Sequence, residues 1–180
     1  MSELTVGQLK GLTVNDNTIT VPSGHKLYAP GSIVQVQHVQ STPTKYTVSA
    51  ADIVAIPELS ITFTPKFANS KILLQSMINS TATYVCTFGF LKNGSYLISN
   101  TNTNSAGSIA TVYMGGSAIE SNIYNSYIAY SDTPGTTSPI TYAAAVSSSW
   151  AGTNYTVHIN DRSDSQMRSV STLTIMEIAQ

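Results

Sequence analysis

Residues 85–99 have the sequence VCTFGFLKNGSYLIS, in which two apolar segments flank the dipeptide Asn93-Gly94. Asn-Gly readily adopts the positive backbone φ angles of a type I′ turn, and such a turn joins the two strands of a β-hairpin. The stretch therefore predicts an antiparallel hairpin between residues 85–92 and 95–99. It also indicates that antiparallel pairing dominates this part of the chain.

Strand-like segments of similar length lie on both sides of the hairpin. Residues 59–64 alternate apolar and polar side chains with a period of two, which is typical of a strand with one buried face. Residues 71–79 are apolar on both faces, which predicts a central strand. The other predicted strands are residues 32–40, 108–114, 119–131, 140–148, 155–159 and 171–178.

Turn-forming residues separate these segments, and almost no helical periodicity is present. The sequence Asp132-Thr133-Pro134-Gly135 and residues 100–107 have the composition of loops. Residues 48–56 are the one segment that fits a short helix, and they fit a loop equally well. Eight to ten strands spaced in this way predict an all-β fold, an antiparallel β-sandwich or jelly roll.

Residues 1–31 differ from the body, residues 32–180. Short β-type triplets such as Leu4-Thr5-Val6 and Leu12-Thr13-Val14 alternate with Gly and Asn. They are too short to form a core of their own, so their apolar side chains need a surface on the body or on other copies of the chain. We predict an extended N-terminal arm for attachment or trimerisation. Its contact residues are Leu4, Val6, Leu9, Leu12, Val14 and Ile19.

The composition limits the classes of partner. Charged residues make up 9% of the 180 residues, and hydrophobic residues make up 42%, which is typical of an ordered chain with a weakly charged surface. The net charge is −1 and Lys and Arg form no run, so we expect neither a nucleic-acid partner nor adsorption to a membrane. The N-terminus lacks the features of a signal peptide, which predicts synthesis in the cytoplasm.

Residues suited to catalysis or to metal binding are few and scattered. The three histidines lie far apart without metal-ligand spacing, and the single cysteine, Cys86, predicts a buried apolar side chain rather than a disulfide. The segment Asp161-Arg162-Ser163-Asp164 could share a cation or hold a sugar. We favour the other interpretation, a polar turn in which Asp caps backbone amides. The sequence thus predicts no metal, no cofactor and no enzymatic activity.

Aromatic residues are the main candidates for contacts with a partner. Tyr124, Tyr127 and Tyr130 fall in one predicted strand, with Tyr124 and Tyr130 on one face and Tyr127 on the other. Tyrosine suits interfaces because it buries a large area and keeps a hydroxyl that water can solvate, although each ring would fit a sandwich core equally well. Trp150 lies in a predicted loop, where it would stack on a sugar or cover the sandwich. We predict these four residues as interface or glycan contacts.

Seven short segments of the body are informative together, although each is ordinary strand-and-turn sequence. They are PGSIVQVQH (30–38), SITFTPK (60–66), NSKILL (69–74), FGFLKNG (88–94), DTPG (132–135), ITY (140–142) and STLTIMEIA (171–179). The chain resembles a family of small virion proteins and fibre tips of marine tailed bacteriophages. The resemblance lies in the order of these seven segments and in the position of the last one. The resemblance implies a jelly-roll-like domain, similar in shape to the trimeric heads of tumour necrosis factor and complement proteins. Because no long shaft precedes the body, it favours a short spike or a head decoration.

Three hypotheses for function follow. The first is a non-enzymatic virion structural protein of a tailed bacteriophage, made in the host cytoplasm and exposed on the virion surface as a homotrimeric capsid decoration or short fibre or spike. Its partners would be other copies of itself and capsid or tail proteins. The alternative is a receptor-binding, lectin-like tail fibre tip that engages host-surface glycan. A glycan hydrolase is the third, and it is disfavoured because it needs paired carboxylates, whereas the nine acidic residues are scattered singly.

Overall fold

The structure is a computed structural model that describes residues 29–49, 53–98, 109–113, 122–150, 153–162, 164 and 166–180. These residues form strands and turns, and none of them belongs to a helix long and apolar enough to cross a membrane. The strands are β1 (Ile33–Gln40), β2 (Tyr46–Val48), β3 (Val54–Phe63), β4 (Lys71–Ala82), β5 (Val85–Lys92), β6 (Ser95–Tyr96), β7 (Ala110–Tyr113), β8 (Tyr124–Asp132), β9 (Ile140–Ser147), β10 (Ser149–Trp150), β11 (Thr153–Asn154), β12 (Val157–Ile159) and β13 (Thr172–Ile178).

The strands form two main antiparallel sheets. Sheet A has the order β1-β13-β4-β8, and β12 followed by β2 continues beside the last residues of β4. Sheet B has the order β3-β9-β5, with β7 and β6 along the remaining edge of β5. As its apolar pattern predicts, β4 is central, because β13 and β8 pair with opposite edges of it. Strands β10 and β11 form a small separate hairpin.

The connectivity is that of a jelly roll. The eight longest strands in chain order are β1, β3, β4, β5, β7, β8, β9 and β13. Numbered one to eight, they give the order 1-8-3-6 in sheet A and 2-7-4-5 in sheet B. Early strands therefore pair with late ones in both sheets, as in the double Greek key of a jelly roll. The predicted all-β sandwich is confirmed.

The core lies between the inner faces of the two sheets. Side chains alternate between the faces of a strand, so every second residue of β13 and of β4 up to Ser80 is buried. Most residues of β9 are buried on both faces. The largest fully buried side chains are Tyr142, Phe63, Phe88, Ile56, Leu59, Ile72, Leu74, Ile78, Ile128, Ile159, Leu173 and Ile175. A second small cluster covers part of the outer face of sheet B and contains Ile53, Leu91, Ala143 and Ala145.

Of the two alternatives for residues 48–56, a short helix or a loop, the helix is wrong for the described residues 48–49 and 53–56. Residues up to Val48 belong to β2, and β3 begins at Val54. The side chain of Ile56 is buried whereas that of Ala55 is exposed, which is the period of a strand. β-branched Val and Ile prefer this extended backbone. Pro57 fits because β3 is an edge strand, where a missing N–H group is tolerated.

The predicted hairpin and the start of the body are both defined by local backbone geometry. Asn93 and Gly94 have φ angles of 51° and 79°, as a type I′ turn requires, and Lys92 pairs with Ser95. At the start of the body, the amide of Gly31 donates a 2.8 Å hydrogen bond to the carbonyl of Ala179. The chain therefore enters the body beside the last strand, at one end of β1.

Candidate assembly surface

The side of sheet A that points away from the core is a broad four-stranded surface, here called the outer face. Strand register places its residues in rows, and three of these rows cross all four strands, β1, β13, β4 and β8. The three rows are Val36-Met176-Leu73-Ser131, His38-Thr174-Gln75-Ala129 and Gln40-Thr172-Met77-Tyr127.

The outer face has an unusual composition for a solvent-facing sheet. These three rows contain no Asp, Glu, Lys or Arg, whereas the adjoining row, Ile33-Ile178-Lys71, contains Lys71. Val36 and Tyr127, at opposite edges of the sheet, are 53% and 60% exposed. Depletion of charge together with exposed aromatic and apolar side chains is typical of protein contact surfaces.

The three predicted contact tyrosines of β8 have different environments. Tyr124 and Tyr130 are partly buried and pack against the core, whereas Tyr127 points away from it, as their spacing predicts. Tyr127 is therefore the member of the set with the most surface available to a partner. Contacts of all three with a partner remain predictions.

The other predicted contact residues lie at or beyond the limits of the described structure. Trp150 was expected in a loop but belongs to β10, where it pairs with Thr153 of β11. Two residues, Ala151 and Gly152, separate these strands, and a two-residue connection with Gly is a hairpin signal that explains the difference. The side chain of Trp150 lies outside the described part. So do the predicted arm residues Leu4, Val6, Leu9, Leu12, Val14 and Ile19.

Three of the sheet edges have features that hinder addition of another strand. The register of β1 shifts between Ile33 and Gln35. β3 has a register shift between Ala55 and Ser60, and it contains Pro57 and a positive φ angle of 66° at Glu58. β7 has only four residues. Bulges, prolines and short length are the usual protection of an exposed sheet edge.

The edge formed by β8 lacks this protection. Its nine residues pair with β4 without a register shift, from Tyr124 opposite Ser80 to Asp132 opposite Ile72. Residues 124–131 contain neither proline nor a charged side chain. Within the described ranges, no strand pairs with the other edge of β8. A long, regular and uncharged edge of this kind is suited to pairing with a further strand.

The carboxylates of the polar turn contact arginines and backbone amides. Asp161 is buried, with the Nε of Arg168 3.1 Å from Oδ2, and its Oδ1 accepts a 2.7 Å bond from the amide of Arg162. Asp164 lies 2.8 Å from the guanidinium of Arg162 and accepts a bond from the amide of Gln166. These contacts support the turn interpretation. In the described part of the chain, no three His, Cys, Asp or Glu side chains are grouped to hold a metal ion.

Two further features have little capacity for chemistry. Burial raises the pKa of Cys86 to about 12 against the opposing effect of a hydrogen bond with Ser80, so the thiol stays protonated and is a poor nucleophile. A pocket of about 100 Å³ opens beside Tyr46 and Glu58, well below the roughly 300 Å³ of small ligand sites. The carboxylate of Glu58 accepts hydrogen bonds from the amide and the hydroxyl of Thr42, which ties β3 to the loop between β1 and β2.

Comparisons with known proteins give a weak structural likeness. No protein-family model and no curated protein matches the chain. A solved structure of infectious bursal disease virus, Gt strain, is similar with a TM-score of 0.40 and 12% sequence identity. The match covers 91% of this chain and 42% of that chain, so this chain spans less than half of the viral protein. The jelly-roll assignment made above rests on the strand order of this chain alone.

Proposed function

We propose that this chain is a non-enzymatic structural protein of a tailed-bacteriophage virion, exposed on the particle as a homotrimeric capsid decoration or short spike. The observation that supports this best is the outer face of sheet A together with the edge of β8. The three rows of the outer face and residues 124–131 of β8 contain no charged side chain, and both belong to the jelly roll. The fold thus offers a surface for contacts between proteins.

The described titratable groups are consistent with a structural role. Asp132 binds Lys92 and the hydroxyl of Tyr142, and the buried carboxylate of Glu177 is surrounded by hydrogen-bond donors. Catalysis by acid and base groups needs such groups to face a substrate site. Here they connect strands and loops of the same domain.

The dimensions of the outer face favour assembly that also uses other parts of the chain. Four strands of about eight residues correspond to roughly 500 Å² from strand spacing and rise. Stable interfaces bury about 800 Å² on each partner. The face alone is therefore too small, and the sheet edge and the N-terminal arm are the natural sources of the remaining area in a homotrimer.

A second candidate function is a receptor-binding tip that engages host-surface glycan. One observation favours it, the 60% exposure of the aromatic ring of Tyr127, because exposed rings can stack on sugars. This candidate predicts that the protein binds host cells and that Tyr127→Ala abolishes the binding. A decoration protein would bind the particle and not the cell.

The proposal is tested by locating the protein in the particle. Antibody raised against residues 29–180 should label purified intact phage particles at regular surface positions, as seen by electron microscopy. Protein found only in the soluble fraction of infected cells, and absent from purified particles, would overturn it. Labelling confined to the tail tip, with binding to host cells, would favour the second candidate.

A further inference from the structure

We infer that each copy of the chain adds a strand from its residues 1–28 to β8 in the next copy, at the edge with which no described strand pairs, so that the homotrimer closes head to tail. This inference rests on the proposed self-assembly and names the contact that produces it. The acceptor is the backbone edge of residues 124–132, and the donor is the N-terminal segment of a second copy.

The acceptor edge is selective because the other edges are protected. A strand added to β8 would form backbone hydrogen bonds along up to nine residues, since the register of β8 on β4 is regular throughout. The register shifts in β1 and β3 and the short length of β7 make those edges poorer acceptors. Geometry thus directs an incoming strand to β8.

The donor sequence has the side-chain alternation that this position requires. In Leu4-Thr5-Val6, Leu12-Thr13-Val14 and Thr18-Ile19-Thr20-Val21, apolar residues alternate with threonine. A strand beside β8 has one face next to buried Ile128 and the other next to exposed Tyr127 and Ala129. The apolar side chains would extend the core, and the threonines would extend the uncharged rows of the outer face.

The donor segment joins the body at the edge of sheet A that is opposite to the acceptor strand. Residue 29 lies beside β1, at one edge of sheet A, and the β8 edge lies three strand spacings away, or about 14 Å. A donor at one edge and an acceptor at the opposite edge form a heterologous contact. Such contacts propagate from copy to copy and close into a ring when the rotation permits. A trimer needs three identical contacts of this type.

Disulfide trapping tests the contact directly. One chain carries Ala129→Cys, and a second, differently tagged chain carries Thr5→Cys, Thr13→Cys or Thr20→Cys in separate co-expressions. Neighbouring strands bring facing Cβ atoms to about 5 Å, which permits a disulfide. The native Cys86 is buried and should not react. We expect a disulfide-linked pair of the two tagged chains for at least one donor position.

The matched control places the acceptor cysteine at Gln40, which is exposed on the same outer face but on the opposite edge strand β1. Cross-linking with Gln40→Cys should be absent. No cross-link at Ala129, or equal cross-linking at both acceptors, would overturn the inference. The outcome is independent of particle labelling: cross-linked protein that is absent from particles would refute the virion role alone, and labelled particles without cross-links would refute the strand exchange alone.

Discussion

The hydroxyl of Tyr142 donates a 2.7 Å hydrogen bond to Oδ2 of Asp132, which links the two sheets of the jelly roll. Tyr142 belongs to β9 of sheet B and is fully buried, whereas Asp132 ends β8 of sheet A. Burial, and next the bond to Asp132, raise the pKa of Tyr142 above its ordinary value. The same carboxylate oxygen lies 2.7 Å from the Nζ of Lys92. The end of β8 is thereby held in place by the core.

Removing this hydroxyl should weaken the fold. Tyr142→Phe deletes one donor to a carboxylate, so we expect the free energy of unfolding to fall by about 1–2 kcal/mol. Urea denaturation followed by fluorescence measures it. Tyr127→Phe is the matched control on exposed surface and should change stability by less than about 0.5 kcal/mol. Equal stability of Tyr142→Phe and the wild type would contradict the role given to this bond.

Glu177 should contribute more to the free energy of unfolding than the hydroxyl of Tyr142 does. Its buried carboxylate accepts hydrogen bonds from the amides of Lys66 and Phe67, the hydroxyl of Ser70 and the amide side chain of Gln35. Glu177→Gln places an NH₂ group against these donors, so we expect a loss of about 2–4 kcal/mol in the free energy of unfolding. Asp164→Asn, which removes an ion pair near the surface, is the control and should cost less than about 1 kcal/mol.

The environment of Glu177 also predicts that the free energy of unfolding depends on pH. Burial by itself would raise the pKa of Glu177, but the hydrogen bonds from Lys66, Phe67, Gln35 and Ser70 lower it below 4.5. The stabilisation is therefore complete above the pKa of an unfolded Glu and is lost as the pH falls through the lower folded value. Urea unfolding of the wild type between pH 7 and pH 3 should show this loss on acidification. A curve of the same steepness in Glu177→Gln would show that another group is responsible.

Chelation of divalent cations should leave the melting temperature of the protein unchanged. Asp161 and Asp164 contact Arg168 and Arg162, so neither carboxylate needs a cation. A bound ion would raise the melting temperature by mass action, and we expect EDTA or added calcium to shift it by no more than about one degree. A large decrease with EDTA that calcium restores would contradict the turn interpretation.

Much of the fold could be predicted because its signals are local. The Asn93-Gly94 turn and the two-sided apolar pattern of β4 specify a hairpin and a central strand directly. The start of β3 could not be predicted, because Pro57 and the charged Glu58 are tolerated only at an unpaired edge. The different environments of Tyr127 and of Tyr124 and Tyr130 could be predicted, because successive side chains of a strand point to opposite faces.

The candidate surface was harder to predict, because its residues come from strands that are distant in sequence. The uncharged rows of the outer face bring together β1, β13, β4 and β8, which are distant in sequence, and their register comes from tertiary pairing. The salt bridge between Lys92 and Asp132 and the donors around Glu177 likewise join distant segments. No local pattern encodes such contacts.

Deleting residues 1–28 should leave a folded body. Residues 29–32 stay attached through the bonds between Gly31, Ser32 and Ala179, and all thirteen described strands are retained. We expect a soluble, β-rich protein with a cooperative thermal transition in circular dichroism. A broad, non-cooperative transition would mean that residues 1–28 belong to the fold of their own sandwich.

Mass in solution tests the central claim, self-assembly through the β8 edge, most directly. Light scattering at micromolar concentration should give the full chain three times its 19.1 kDa monomer mass. Ala129→Lys, which adds the charge that natural edges use against pairing, and the chain without residues 1–28 should both be folded monomers. A full-length monomer, or a trimer that persists in both variants, would contradict the account.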